Sequence, residues 1–359
     1  MRVIAFRKRL LYLYCERKGN NMKYDILFMN DRVVNDLVAN DMSKVIVQIE
    51  KCLSLLDKGD AVNTGKLVTR LGDSPEDENV NGRINAMPGY LGGDFNVFGI
   101  KWIGSGPQNY KIGLPRASVI VVLNDADTKL PIAIADGTTV SAKRTGAVGG
   151  IAIKHLAKKG AETMLICGAG VQGRTQLEAA LVECPTLKKI YVYDLYLERS
   201  KKFAEEMIEK HGVEVIPTEN VKKAVGISDI IVTVTLANEP FIEYDWLKKG
   251  TLLMNMADYE VSNDCVLNAD LIVCDTWEGI KNRMISTVAL MYKDGLIKDE
   301  DIDAELGEII NGKKTGREND DQIIYFNAVG MGIEDIAIVA HAYELAKEKG
   351  IGVKVNYWE

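Results

Sequence analysis

Two stretches decide the fold: Met164-Leu-Ile-Cys-Gly-Ala-Gly-Val-Gln-Gly173, and Lys189-Ile-Tyr-Val-Tyr-Asp194 downstream of it. The first runs from an apolar strand into Gly168-x-Gly170-x-x-Gly173. Gly168 permits a tight turn, Gly170 lets backbone N–H groups reach a pyrophosphate, and Gly173 lets helix and strand pack closely. A helix-compatible segment, Gln176-Leu-Glu-Ala-Ala-Leu-Val182, follows, and its N-terminus would face the phosphate charge. The second strand ends in Asp194, 21 residues beyond Gly173, near the spacing of an acid that binds a ribose. A glycine turn alone is ordinary; both strands, the helix and the acid together predict a dinucleotide site. Val171 and Gln172 complete its turn. Asp194 would accept from a free 2′-OH and repel a 2′-phosphate, which favours NAD, and nearby Arg199 softens that preference.

Outward from this unit, strand and helix alternate. Strands are expected at 163–167, 189–193, 229–234, 251–255 and 271–274, with helices at 174–182, 196–211 and 219–226. This is the pattern of a doubly wound parallel sheet, a Rossmann α/β fold. Upstream, residues 43–58 carry helical spacing, while Ile100–Ile103, Ala117–Leu123 and Leu130–Ile134 read as strands joined by turns. Thr145 to Lys159 and Gly332 to Lys349 read as helices, 350–359 as a short tail, and the acidic stretch 70–83 as a loop. The organisation expected is a basic, disordered extension over 1–21 ahead of Met22, then an α+β domain from 22–145 plus 331–359. The Rossmann domain, 146–330, is inserted in it.

Composition sets limits. A hydrophobic content of 47% supports a substantial core, and a net charge of −7 gives no reason to expect nucleic acid or an anionic membrane as partner. The sequence has no apolar run long enough to span a bilayer. Six scattered cysteines without CxxC spacing fit a reducing cytoplasm, and three histidines leave little for a metal site, so no metal is expected.

Several residues outside the glycine turn could carry chemistry. Lys101 sits inside an apolar strand, where a snorkelling lysine is the plain alternative. Arg144, in Ser141-Ala-Lys-Arg-Thr145, could be a helix-end ion pair. Arg70 ends a strand-like run with Lys66 four residues before it, and could be merely solvated. Beside a nicotinamide such cations could clamp a substrate carboxylate. Asp258 and Glu260 follow the strand 251–255, beyond the carboxyl end where parallel sheets bind ligands. Either could act as a base, or be a loop acid or N-cap. Thr233, Val234 and Thr235 end the preceding strand and are candidates to line the cofactor cleft, with Arg144 and Thr145. Glu334 and Asp335 open the last helix, where they suit its dipole.

Taken together, these segments resemble the ornithine cyclodeaminase/mu-crystallin family. The matching pieces are Met87-Pro-Gly-Tyr-Leu-Gly-Gly, Gly99-Ile-Lys-Trp-Ile, Gly113-Leu-Pro-Arg-Ala-Ser118, Ser141-Ala-Lys-Arg-Thr-Gly, the glycine turn, Asp229-Ile-Ile-Val-Thr-Val-Thr235, Gly312-x-x-x-Gly-Arg317 and Phe326-x-x-x-Gly-x-x-x-Glu-Asp335. The resemblance implies a cytoplasmic homodimer, in which the Rossmann domain is inserted in a substrate-binding and dimerisation domain. It implies that Arg70, Lys101 and Arg144 hold the substrate carboxylate, with Lys66 as substitute for Arg70 and Lys101 also catalytic. Glu260 falls where the family has a catalytic aspartate, one methylene longer, with Asp258 as the fallback. The activity implied is NAD-dependent oxidation of a Cα–N bond to an imine. The substrate is either N-(2-amino-2-carboxyethyl)-L-glutamate, giving 2,3-diaminopropionate and 2-oxoglutarate, or L-ornithine, giving proline and ammonia. Other readings are a mu-crystallin-like protein that only binds a nicotinamide cofactor and a small ligand, and an alanine-dehydrogenase-like reductive aminase.

Overall fold

The computed structural model describes residues 17–18, 21–70 and 82–358. The expected N-terminal extension and the acidic loop therefore fall largely outside the described residues. Two compact units divide the chain: residues 1–40, 62–141 and 335–359 in one, and 41–61 with 142–334 in the other.

The first unit is built on a mixed sheet. Its strands are β1 (Tyr24–Met29), β2 (Ala61–Asn63), β3 (Leu67–Thr69), β4 (Arg83–Leu91), β5 (Val97–Ser105), β6 (Ala117–Asp125) and β7 (Pro131–Asp136). Strands β4 to β7 form an antiparallel meander, β3 adds to β4 antiparallel, and β1 adds to β7 in parallel. One face is buried through Met87, Val97, Lys101, Val119, Val121 and Leu123. Because side chains alternate along a strand, the opposite face carries Ile84, Phe98, Trp102 and Ile120, all exposed.

The second unit holds α1 (Met42–Asp57), most of α2 (Thr138–Leu156), then α3 (Val171–Glu183), α4 (Leu197–His211), α5 (Val221–Ile227) and α6 (Leu306–Ile310). Its strands are β8 (Thr163–Cys167), β9 (Lys189–Tyr193), β10 (Glu214–Pro217), β11 (Ile230–Thr233), β12 (Leu252–Asn255), β13 (Leu271–Cys274), β14 (Ala304–Glu305) and β15 (Ile324–Asn327). All pair in parallel, in the order β10-β9-β8-β11-β12-β15-β13-β14. Every residue of β11, β12 and β15 is buried, as a sheet covered on both faces requires. Strand order reverses between β8 and β11, which puts a ligand crevice at their carboxyl ends. The fold is the Rossmann α/β arrangement with a second α+β unit.

The last helix, α7 (Gly332–Lys349), has the expected bounds. The expected tail instead forms a strand, β16 (Val353–Trp358), antiparallel to β1, with Trp358 stacked on Tyr24 at 5.1 Å between ring centroids. Six residues of Val-Lys-Val-Asn-Tyr-Trp alternate too briefly to stand out without their partner strand.

Two further differences have local causes. Helix α2 starts at Thr138, seven residues before the expected 145, because the Asp136 carboxylate accepts from the Thr138 N–H at 3.0 Å and caps the start. Helix α1 groups with the dinucleotide unit, where Gly307 of α6 approaches so closely that a Cβ there would lie 2.8 Å from the Leu53 carbonyl. The described cysteines, Cys52, Cys167, Cys184, Cys265 and Cys274, are all free thiols in the interior.

Candidate active site

The glycine turn joins β8 to α3. Gly168 has φ +112°, and a Cβ there would lie 2.7 Å from the Val234 carbonyl. A Cβ on Gly173 would meet the Gly168 carbonyl at 2.2 Å, so this glycine is required for the helix to pack on its strand. Gly170 is different: a Cβ there would have no protein atom within 4 Å. It is also the N-cap of α3 and offers no side-chain cap, so the first N–H groups of a thirteen-residue helix are left for a ligand. Val171, the next residue, is exposed.

Asp194 ends β9 beside this turn. Its Oδ2 accepts from the Ala169 N–H at 3.1 Å and its Oδ1 from the Tyr196 N–H at 3.1 Å, with the Arg199 guanidinium 3.9 Å away. Arg199 itself lies over the Tyr196 ring, 4.6 Å from its centroid. Arg174, which sequence reasoning passed over, donates from Nη1 to the carbonyls of Ala169 (2.6 Å) and Gly170 (3.0 Å), and from Nε to Glu206 (2.8 Å). It braces the turn from behind. An open approach at Gly170, an uncapped helix start and an acid at the second strand's end fit a dinucleotide with a free ribose 2′-OH.

Helix α2 crosses α3 at small residues. A Cβ on Gly146 would lie 2.5 Å from the Thr175 carbonyl, and the Thr145 carbonyl accepts from Gln176 Nε2 at 3.0 Å. Gln172 is bound in the first turn of α3, its carbonyl accepting from the Thr175 hydroxyl at 3.0 Å.

Glu260 is fully buried, and its carboxylate gathers the ends of two strands. Oε2 accepts from the Thr233 hydroxyl (2.7 Å) and Asn255 Nδ2 (2.9 Å); Oε1 accepts from the Thr235 N–H and hydroxyl (2.6 Å each). Burial pushes its carboxyl up to about 7, against the lowering effect of these bonds. Asn255 is fixed in turn by the Tyr325 hydroxyl, which donates to Oδ1 at 2.9 Å. Val234 links the strands through its N–H to the Cys167 carbonyl at 2.9 Å. Asp258 lies nearer the surface, 3.2 Å from the Arg283 guanidinium. The structure thus brings Glu260, Thr233 and Thr235 together and leaves Asp258 in a separate pair.

In the first unit, Lys101 does not snorkel. It is 1% exposed, and Nζ donates to Asp335 Oδ2 at 2.8 Å and to the Ser141 hydroxyl at 2.7 Å. Lys66 and Arg70 flank β3 and are exposed. Arg70 lines an open cavity of about 370 Å³ together with Arg83, Ser105, Asn109 and Ser118. Arg83 went unremarked in the sequence because nothing in its spacing sets it apart.

In the second unit Arg144 lies inside α2 rather than at its end, and Nη1 donates to Glu334 Oε2 at 2.9 Å. That carboxylate also accepts from the Met331 N–H at 3.1 Å. Asp275, just past the end of β13, was another omission; its place beyond a parallel strand's carboxyl end was the available signal.

The chain matches known proteins over nearly its whole length. Residues 30–350 match the model of the ornithine cyclodeaminase/mu-crystallin family. The chain is 34% identical to the N-((2S)-2-amino-2-carboxyethyl)-L-glutamate dehydrogenase of Staphylococcus aureus, over 94% of this chain and 100% of that one. Among solved structures it resembles the Thermococcus litoralis Delta(1)-pyrroline-2-carboxylate reductase in complex with NADH and L-proline. The TM-score is 0.84 and the identity 35%, covering 92% of this chain and 100% of the other. It also resembles an archaeal alanine dehydrogenase dimer with bound NAD, with TM-score 0.84 and 29% identity over 93% and 99%. The chain belongs to the ornithine cyclodeaminase/mu-crystallin family.

Proposed function

We propose that this protein is an NAD-dependent enzyme that oxidises the Cα–N bond of N-(2-amino-2-carboxyethyl)-L-glutamate, releasing 2,3-diaminopropionate and 2-oxoglutarate. The observation that carries the reading is the match to the staphylococcal dehydrogenase over that enzyme's full length. A second feature supports it: Arg70 and Arg83 line one cavity, and this opine brings three carboxylates where ornithine brings one.

The residues divide the work by chemistry. Arg70, Lys101 and Arg144 supply positive charge for substrate carboxylates, with Lys66 beside β3 as a further cation. Gly168, Gly170, Gly173 and Asp194 would hold the dinucleotide, and Val171, Gln172, Thr145 and Val234 would shape its surroundings. NAD held there would supply the oxidising power, as acceptor of a hydride from the glutamate Cα. Loss of that hydride and of the amine proton makes a C=N bond. Water then adds to the carbon, and the C–N bond breaks to give ketone and primary amine. Glu260 accepts the amine proton, returns it to the imine nitrogen and, ionised again, deprotonates the attacking water; that second proton goes to the amine as it leaves. The burial of Glu260 makes a direct approach difficult, and the half-buried Thr235 hydroxyl, 2.6 Å from Oε1, is the relay.

We further propose a cytoplasmic homodimer formed through the apolar sheet face of Ile84, Phe98, Trp102 and Ile120. No described helix is long and apolar enough to cross a membrane.

The test is a substrate comparison with purified protein. NADH formed in proportion to the opine, with 2-oxoglutarate as product, is the expected result. Proline and ammonia from ornithine in excess of a trace of NAD would replace it with the cyclodeaminase reading. NADH consumption with pyruvate and ammonia would replace it with the alanine dehydrogenase reading. Bound cofactor with no turnover of any of these would favour the binding protein.

A further inference from the structure

Asp275 is fully buried, and its carboxylate is bonded to backbone N–H groups of a different loop from those that hold Glu260. Its Oδ1 accepts from the Thr276 N–H at 2.7 Å. Its Oδ2 accepts from the N–H groups of Val329 (2.9 Å) and Gly330 (2.7 Å). These two residues form the turn between β15 and α7, so one carboxylate ties β13 to that turn. Burial and the nearby Glu334 push this carboxyl up to about 7 against the lowering effect of its backbone bonds, and the three N–H groups that converge on it hold the turn in one place.

What the turn holds is Arg144. Gly330 has φ +70°, and a Cβ there would stand 1.9 Å from Arg144 Nη1 and 2.9 Å from Cζ. The guanidinium therefore lies directly on the Gly330 backbone. On its other side Glu334 Oε2 binds both Arg144 Nη1 (2.9 Å) and the Met331 N–H (3.1 Å). The guanidinium is thus set by a backbone floor, Gly330, which Asp275 pins through residues 329–330, and a carboxylate wall, Glu334, which takes the Met331 N–H of the same turn. A guanidinium displaced by about an ångström loses the bidentate geometry that suits a carboxylate.

We propose that Asp275 and Gly330 are positioning residues for Arg144, forming a clamp that sets its guanidinium for the substrate's carboxylate. This rests on Arg144 having that role under the function proposed above. Neither residue need touch substrate.

The experiment is a double-mutant cycle on the full-length protein with bound NAD. Opine oxidation is followed by NADH, and NAD affinity by fluorescence titration. Gly330→Ala is expected to raise the substrate KM at least tenfold, with NAD affinity within twofold. In the Arg144→Lys background, whose own KM is raised, Gly330→Ala should add less than twofold, because its target is already gone. Asp275→Asn, which keeps shape and removes charge, should show the same KM pattern and the same loss of effect in that background. Additive effects in the two backgrounds, or NAD affinity lost in step with KM in both variants, would overturn the clamp while leaving the role of Arg144 intact. An unchanged KM in Arg144→Lys alone would overturn the carboxylate role of Arg144, and the clamp with it.

Discussion

Lys101 Nζ lies 2.8 Å from Asp335 Oδ2, and both side chains are almost wholly out of water. A buried pair of this kind costs little as a pair and much when halved. Lys101→Met should destabilise the protein by about 3–5 kcal/mol because Asp335 is left charged in the interior. Adding Asp335→Asn should recover most of that stability and none of the activity. Urea unfolding and steady-state assays separate the two effects. Equal destabilisation by the single and double variants would show that the pair is not the cause.

The glycine turn gives a sharper contrast. Gly170→Ala meets open space, and Gly173→Ala meets a carbonyl at 2.2 Å. Gly170→Ala should therefore leave the melting temperature within about 2 °C while weakening NAD binding at least tenfold, its Cβ taking the place of a phosphate oxygen's approach. Gly173→Ala should lower stability itself. Differential scanning calorimetry alongside NAD titration distinguishes them; an unaltered NAD affinity in Gly170→Ala would place the pyrophosphate elsewhere.

Glu260 supplies a pH prediction. Its folded carboxyl is raised to about 7 from an ordinary 4.5 by burial. Between these values the folded state holds a proton that the unfolded state has released. The contribution to stability is complete below about 4.5 and is lost as pH rises through about 7. Activity should run the other way, since the base must be deprotonated. kcat/KM for the opine should climb with an apparent pKa near 7. Glu260→Gln should cut kcat by about 10²–10⁴, and Thr235→Val should slow turnover without abolishing NAD binding. If Asp258→Asn proves the more damaging variant, the base has been misassigned.

The outward face of the first unit's sheet offers a test of assembly. Trp102 pairs across the strands with Ile120, and both are close to half exposed. A Trp102→Asp, Ile120→Lys variant should sediment as a monomer under conditions where the parent sediments as a dimer. A parent that is itself monomeric at micromolar concentration would remove the proposed interface.

Strands β8, β9 and β13 were legible because each is short, mostly apolar and followed by a glycine or an acid, whereas β10 and β14, short and opening or ending on a glutamate, escaped the sequence reading. Gly168 to Asp194 could be read almost to the residue for that reason. The strand β16 was not, because its partner lies at the other end of the chain and period alone cannot supply it. The site followed the same division. Lys101 stood out as a charge in an apolar strand, Arg144 by its place ahead of the helix that leads into the glycine-turn strand, and Glu260 by its place beyond a strand's carboxyl end. Asp275 and Arg174 did not, since their work is done on backbone groups, and no sequence pattern records which N–H or carbonyl a side chain will meet. The burial that makes Glu260 unusual is a tertiary property of Thr233, Asn255 and Tyr325 together.

The interior thiols carry a practical consequence. Burial holds Cys167, Cys265 and Cys274 well on the protonated side, and a protonated thiol is neither a good nucleophile nor easily oxidised. These positions should ignore maleimides and mild peroxide in the folded protein. A single cysteine introduced on the surface, at Val171 for instance, could then report cofactor arrival by fluorescence with little background from the core.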